Sequence, residues 1–359
     1  MIKKIQVLLS LFVFVIEIFA QAPSGYYKDV EGKNKAALKT ALFMVIKDHT
    51  QRTYTNLWTD FQTTDKRADG KVWDMYSSTT NYSFGLPDQD NGTGGSTEGG
   101  DGVTVGRYNR EHSFPNSWFG GDKSSPMYTD LFHLYPTDKL VNNRRSNYPF
   151  GETEGEMYKS NGGFSKLGNC TFSGYTGVVF EPNDEYKGDF ARSYFYMATC
   201  YEDKIASWTN SDATLLNQTT YPCYKEWTIN LLLKWSRQDP VSEKEVNRNN
   251  AVYGIQKNRN PFIDNPLFAE YIWGNKMDEI FTATDLENSE FMPVSVYANE
   301  GGIQVVCSEK VVVYIYTSYG SLITSQEVDG KSLIPVSSHG VFIVKLLSNK
   351  KILTFKVER

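Results

Sequence analysis

Glu111 and His112 stand side by side in "YNREHSFPNSW" (residues 108–118), in a chain with only 4 histidines. A second stretch, "YTDLFHLYPTDKLVNNRRSNYPFGE" (residues 128–152), brings His133, Asn142, Arg144 and Arg145. A carboxylate, an imidazole and an amide are a minimal kit for hydrolysing a phosphodiester. A base must take a proton from water, and a neutral imidazole suits that role near pH 7. A divalent cation must offset charge on the phosphate and the leaving oxygen. A hard cation such as Mg2+ takes oxygen ligands and keeps several waters, so one carboxylate and one amide oxygen suffice as protein ligands. By residue type, Glu111 and Asn142 are the metal-ligand candidates and His112 is the base. Plainer readings stand beside this: a surface Glu-His pair, His133 as a buried histidine bonded to backbone, and Arg144-Arg145 as a solvated face.

These side chains need elements to aim them. Neighbouring strand residues point to opposite faces, so Glu111 and His112 can serve one phosphate only where a strand ends or twists. Pro115 and Asn116 make such an end at this point, and Asn142 then comes from a helix or turn after Pro136. Other metal patterns fail. "DQDNGTGGSTEG" (residues 88–99) has Gly92 where a calcium loop needs its third acidic position and Gly99 where it needs the terminal glutamate. His112 and His133 do not have HExxH spacing, which leaves a zinc hydrolase using that pair as an alternative reading without a motif.

Residues 34–49 place Leu38, Ala41, Leu42, Val45, Ile46 and His49 at helical spacing, with His49 read as structural. The glycine-rich stretch 85–106 is a loop. Residues 226–256 read as two helices, the first ending before Asp239-Pro240 and the second opening on Ser242 and Glu245 at capping-box spacing. The segment after them, with two prolines, starts as an irregular loop. "GDFARSYFYM" (residues 188–197) reads as a core helix. Its Arg192, like Arg259 in "NRNPF", fits a carbonyl-satisfied scaffold role as well as a phosphate contact.

The chain of 359 residues suits one large and one smaller domain. With 40% hydrophobic and 22% charged residues it is globular, and 14% aromatics point to ring-rich packing or a ring-lined surface. Residues 1–20 carry a short basic start and an apolar run, a secretory leader pattern too short for a membrane span, and no later stretch is long enough to span. Four scattered cysteines without CxxC argue against a thiolate zinc site; in an exported chain one disulfide fits, with no pairing readable. A net charge of −5 argues against a broadly basic nucleic-acid channel, but a bound cation and local arginines can dominate one cleft. Composition changes near residue 287. Beyond it, β-branched alternating segments separated by glycine turns read as a small all-β domain of roughly seven strands.

Four segments in order, "YNREHSFPNSWF", "DLFHLYPTDKLVNNRRSNYPFGE", "FEPNDEYKGDFARSYFYMATCY" and "DPVSEKEVNRNNAVYGIQKNRNPFIDNP", resemble the endonuclease I family of exported bacterial nucleases. The resemblance spans about residues 25–275. It implies an α+β fold: a largely helical nuclease domain (residues 21–286) around a ββα-metal, or His-Me finger, core, followed by a small β-sandwich domain (residues 287–359). It implies a metal held by Glu111 and Asn142 and His112 as general base. Arg145, which matches the arginine of the family's VN-x-x-R pattern, is carried over as a catalytic-site arginine that contacts phosphate or serves as scaffold. Arg110 and His133 support the site from behind. Many members have His-Asn where this chain has Phe132-His133, which leaves the role of His133 open. The implied activity is Mg2+-dependent cleavage of DNA, with RNA as a further candidate substrate, without sequence preference, and with Mn2+ or Ca2+ as other cations. "VVVYIYTSYGSLI" and "GVFIVKLLSNKKILTFKV" resemble type IX secretion sorting domains. That implies passage through the periplasm to the medium or cell surface by way of the secretion machinery; the chain is expected to be a monomer. A competing reading is a noncatalytic surface or adhesive protein with the β tail as its working part.

Overall fold

The computed structural model describes residues 22–78, 81–84, 108–208, 214–282, 294–299, 301–307, 310–318, 320–347 and 352–359. The leader pattern, the glycine-rich loop and the composition break near 287 lie outside these residues. The chain divides at Ala283/Thr284 into two compact units. No helix among the described residues is long and apolar enough to cross a membrane.

In the first unit, helix α1 (Lys35–Ile46) buries Leu38, Leu42 and Ile46 at the predicted spacing, and α2 (Leu57–Thr64) follows. Strand β1 (Tyr108–His112) pairs antiparallel with β2 (Leu134–Asp138), with Glu111 opposite Tyr135 and His112 opposite Leu134. Helix α3 (Lys139–Arg145) starts directly from β2. The Asp138 carboxylate makes that turn by accepting from the backbone N–H groups of Leu140 and Val141, which would otherwise lack partners. A small sheet of β3 (Tyr158–Lys159), β4 (Lys166–Asn169) and β5 (Val178–Glu181) comes next.

Helix α4 (Lys187–Cys200) is buried along its whole length, which explains its lack of a polar stripe. Its charged residues must then be paired. Arg192 sends Nε and Nη2 to the two oxygens of Glu245, and Lys187 reaches Glu181. The short α5 (Glu202–Ile205) follows, then α6 (Glu226–Gln238) and α7 (Glu243–Gln256). At the start of α7, Ser242 and Glu245 form the capping box that their spacing predicts. After a loop come two short helices, α8 (Pro261–Asp264) and α9 (Leu267–Ile272).

The second unit holds β6 (Val294–Asn299), β7 (Gly302–Cys307), β8 (Val311–Thr317), β9 (Leu322–Val328), β10 (Lys331–Pro335), β11 (Val341–Leu347) and β12 (Ile352–Glu358). They form antiparallel sheets of order β10-β7-β6 and β12-β11-β8-β9. Ile303, Val305 and Ile334 from one sheet share an apolar cluster with Val313, Ile315 and Val344 from the other. The in–out alternation of β8 is the period-2 pattern of a strand with one covered face.

No disulfide joins any of the four cysteines, so the one that export makes plausible is absent. Cys200 sits inside α4 with its thiol turned to the Ile46 carbonyl, and Cys307 belongs to the second unit's core.

Candidate functional site

The end of β1 meets α3 through one buried arginine. Arg145 Nη1 donates to Glu111 Oε1 at 2.8 Å and to the His112 carbonyl at 2.9 Å, while Nη2 donates to the Ser113 carbonyl. The guanidinium lies 5.0 Å over the Phe150 ring and is 1% exposed. Arg145 therefore ties the end of β1 to α3. Asn142 lies three residues earlier on α3, on the same helical face, and is half-buried. No described residue hydrogen-bonds its side chain.

Glu111 is buried, and its Oε1 also accepts from the Tyr76 hydroxyl at 2.9 Å. Burial pushes its carboxyl up to about 7, against the opposing pull of Arg145 and Tyr76. Neither donor reaches Oε2.

His112 closes β1. Its Nε2 lies 2.9 Å from the Tyr128 carbonyl, which accepts only, so Nε2 carries the hydrogen and Nδ1 the lone pair. The Asn116 amide nitrogen stands 3.4 Å from Nδ1. The Tyr54 ring is nearly parallel to the imidazole at 6.2 Å, and Tyr128 and Phe119 meet it edge-on. Burial, reinforced by His133, lowers the imidazole to about 3, so it is neutral.

His133 is fully buried with its ring 5.5 Å from that of His112. Its Nε2 bonds the Met127 carbonyl at 2.6 Å, so successive carbonyls of one 3-10 turn (Pro126–Thr129) hold the two imidazoles. Its own carbonyl accepts from Ser113 backbone and hydroxyl, which fixes the residue after His112. Arg110 backs the site on the Tyr54 side, 3.5 Å over that ring and 4.4 Å over Trp58, with Nη1 on the Tyr54 carbonyl. Arg259 grips Asp264 and, like Arg192, is taken up by a carboxylate inside the fold.

A separate group, His49, Asp130 and Cys200, has ligand atoms within 4.8 Å of one another. Asp130 is already saturated: Oδ1 accepts from Phe132 N–H and Gln256, and Oδ2 from the Tyr196 and Tyr201 hydroxyls. Burial works to raise its carboxyl, yet His49, His133 and these donors together hold it below its ordinary value. This is a satisfied core network with no lone pair left for a cation, and it leaves His49 the structural residue read from the sequence.

Sequence reasoning did not find Tyr76, Tyr128 or Asn116. Only Asn116 had a signal, its closeness to the Glu-His pair. A tyrosine 35 residues upstream and a backbone carbonyl have none.

The model of the family described as Endonuclease I matches residues 34–267. An extracellular ribonuclease of Bacillus amyloliquefaciens is 35% identical over 253 residues, covering 69% of this chain and 78% of the relative. An extracellular ribonuclease of Bacillus subtilis is 34% identical over 253 residues, with the same coverage. An extracellular deoxyribonuclease of Aeromonas hydrophila is 26% identical over 145 residues, covering 40% of this chain and 52% of the relative.

Proposed function

The chain belongs to the endonuclease I family, and from that premise we propose an exported endonuclease that hydrolyses DNA and RNA without sequence preference, with a divalent cation, Mg2+ in the first instance, as cofactor. The observation that carries it is the end of β1. There one arginine binds the Glu111 carboxylate and the His112 backbone at once, while the Tyr128 carbonyl holds the imidazole. The strand–strand–helix unit of β1, β2 and α3 is read as a His-Me finger. The leader pattern and the extracellular relatives support export. The relatives named for RNA and for DNA support a site that reads phosphate and sugar rather than base edges.

The residues fit a hard cation. Both proposed ligands offer oxygen, Glu111 keeps Oε2 clear of its two side-chain donors, and no described residue hydrogen-bonds the Asn142 side chain. When bound, the cation supplies positive charge for the phosphate and the leaving oxygen. His112 takes a proton from the attacking water at Nδ1, because Nε2–H is committed to Tyr128. Burial keeps that nitrogen unprotonated in the free protein, and the substrate's negative charge raises its basicity as it arrives. Arg145 holds strand and helix in register. His133, Arg110 and the aromatic rings fix the imidazole plane. A zinc site shared by His112 and His133 is the weaker reading, because their spacing matches no zinc motif.

The test is incubation of the purified protein with supercoiled plasmid and with structured RNA, in Mg2+ with and without EDTA. Metal-dependent nicking and RNA breakdown are expected. Intact substrates in Mg2+ and Mn2+ would remove the reading.

A further inference from the structure

Among the described residues of the first unit, Arg145, Arg192, Arg248 and Arg259 are buried arginines paired with carboxylates, and one of these pairs is built differently. Arg192 spans both oxygens of Glu245 through Nε and Nη2, Arg248 spans both oxygens of Asp65, and Arg259 spans both oxygens of Asp264. The two-point fork is the strong form of this pair. Arg145 departs from it. It gives Glu111 a single N–H, at Oε1, turns its other Nη donors to the His112 and Ser113 carbonyls and, at 3.5 Å, to the Tyr194 hydroxyl, and leaves Nε without a partner. A second donor, the Tyr76 hydroxyl, then falls on the same Oε1 rather than on Oε2.

We infer that Tyr76 is a positioning residue for the cation site: with Arg145 it ties down Oε1 of Glu111 and so presents Oε2 to the metal. This rests on the reading of Glu111 as a cation ligand. Tyr76 is itself held on every side. Its N–H donates to Asp74 Oδ1 at 2.8 Å, its carbonyl accepts from the Ser165 hydroxyl at 2.8 Å and from Ser160 at 3.3 Å, and its ring packs on Phe180 and Phe190. A phenol keeps its proton near neutral pH and so serves as a donor. A phenol fixed in this way sets the carboxylate plane before any cation arrives. The frame extends to the second ligand's helix, because Asp74 Oδ2 accepts from the backbone N–H of Asp138, the N-cap of α3. Partners that orient a metal-binding side chain change affinity by about 10–100-fold when removed.

The test is Mn2+ binding to the full chain without nucleic acid, read from the electron paramagnetic resonance signal of free Mn2+ and by calorimetry. The arms are wild type, Tyr76→Phe, Tyr194→Phe and Glu111→Gln, each checked for its thermal transition. Tyr194 is the control: its hydroxyl is equally buried and bonds the Ser113 carbonyl beside the same arginine, but not Glu111. The expected result is binding weakened about tenfold or more in Tyr76→Phe and unchanged in Tyr194→Phe. Wild-type affinity in Tyr76→Phe, or an equal loss in both tyrosine variants, overturns the assignment of Tyr76. Wild-type affinity in Glu111→Gln overturns Glu111 as a ligand, and the inference with it.

Discussion

Arg192–Glu245 and Arg145–Glu111 are both buried ion pairs between distant parts of the chain, yet they are built for different ends. In the first, each carboxylate oxygen has its own guanidinium donor, and Glu245 also receives the Ser242 N–H of the capping box. Nothing remains for a ligand, and the pair locks α4 to α7. In the second, both donors share one oxygen, and the arginine's other bonds go to the backbone around the candidate base. The difference teaches how to tell a scaffold ion pair from one at a working site: by what the pair leaves unsatisfied, since burial is the same in both.

Breaking the scaffold pair has the largest expected effect. Arg192→Met leaves Glu245 buried without its counter-charge and should cost about 3–5 kcal/mol in denaturant unfolding. A loss below about 1 kcal/mol would remove the distinction. Glu111→Gln keeps an acceptor for both Tyr76 and Arg145, so a smaller loss of about 1–3 kcal/mol is expected, together with loss of metal-dependent cleavage. Equal stability losses in the two variants would show that the second pair is scaffold as well.

Proton competition sharpens the contrast. Since the metal-free Glu111 carboxyl lies at about 7, it is protonated below that pH and ionised above it. A cation needs the ionised form, so Mn2+ affinity should rise with pH from about 6 to 8, by close to tenfold per unit on the acid side. A titration series at fixed ionic strength checks this; flat affinity would place the cation elsewhere. The smallest effect belongs to the second unit, whose buried side chains among the described residues are apolar apart from Gln304. Ile315→Val should cost that unit about 0.5–1.5 kcal/mol and leave the cleavage rate unchanged.

The parts of the fold legible in the sequence are those with local causes. The capping box of α7 follows from Ser242 and Glu245, the burial of α4 from an aromatic run without a polar stripe, and the strands of the second unit from period-2 alternation. At the site, the Glu-His pair and a proline three residues on could be read as chemistry at a strand end, and β1 does stop at His112. What positions the pair could not be read. Glu245 gives no sign that it caps one helix while gripping an arginine of another. Tyr76 reaches Glu111 across a long separation in sequence, and the group that sets the tautomer of His112 is a backbone carbonyl, which any residue at position 128 would supply. The absence of a disulfide was also out of reach, because cysteine pairing depends on the packing of α4 and the separate core that holds Cys307.

The most direct test of the account is the single-turnover cleavage rate of His112→Ala at saturating Mg2+, beside wild type, on the same plasmid and RNA. If the Nδ1 lone pair held ready by Tyr128 is the base, the rate falls by about 10²–10⁴-fold while the Mg2+ concentration for half-maximal rate stays within a few-fold of wild type. A near-wild-type rate with a normal metal requirement would contradict the account and put the base at another residue.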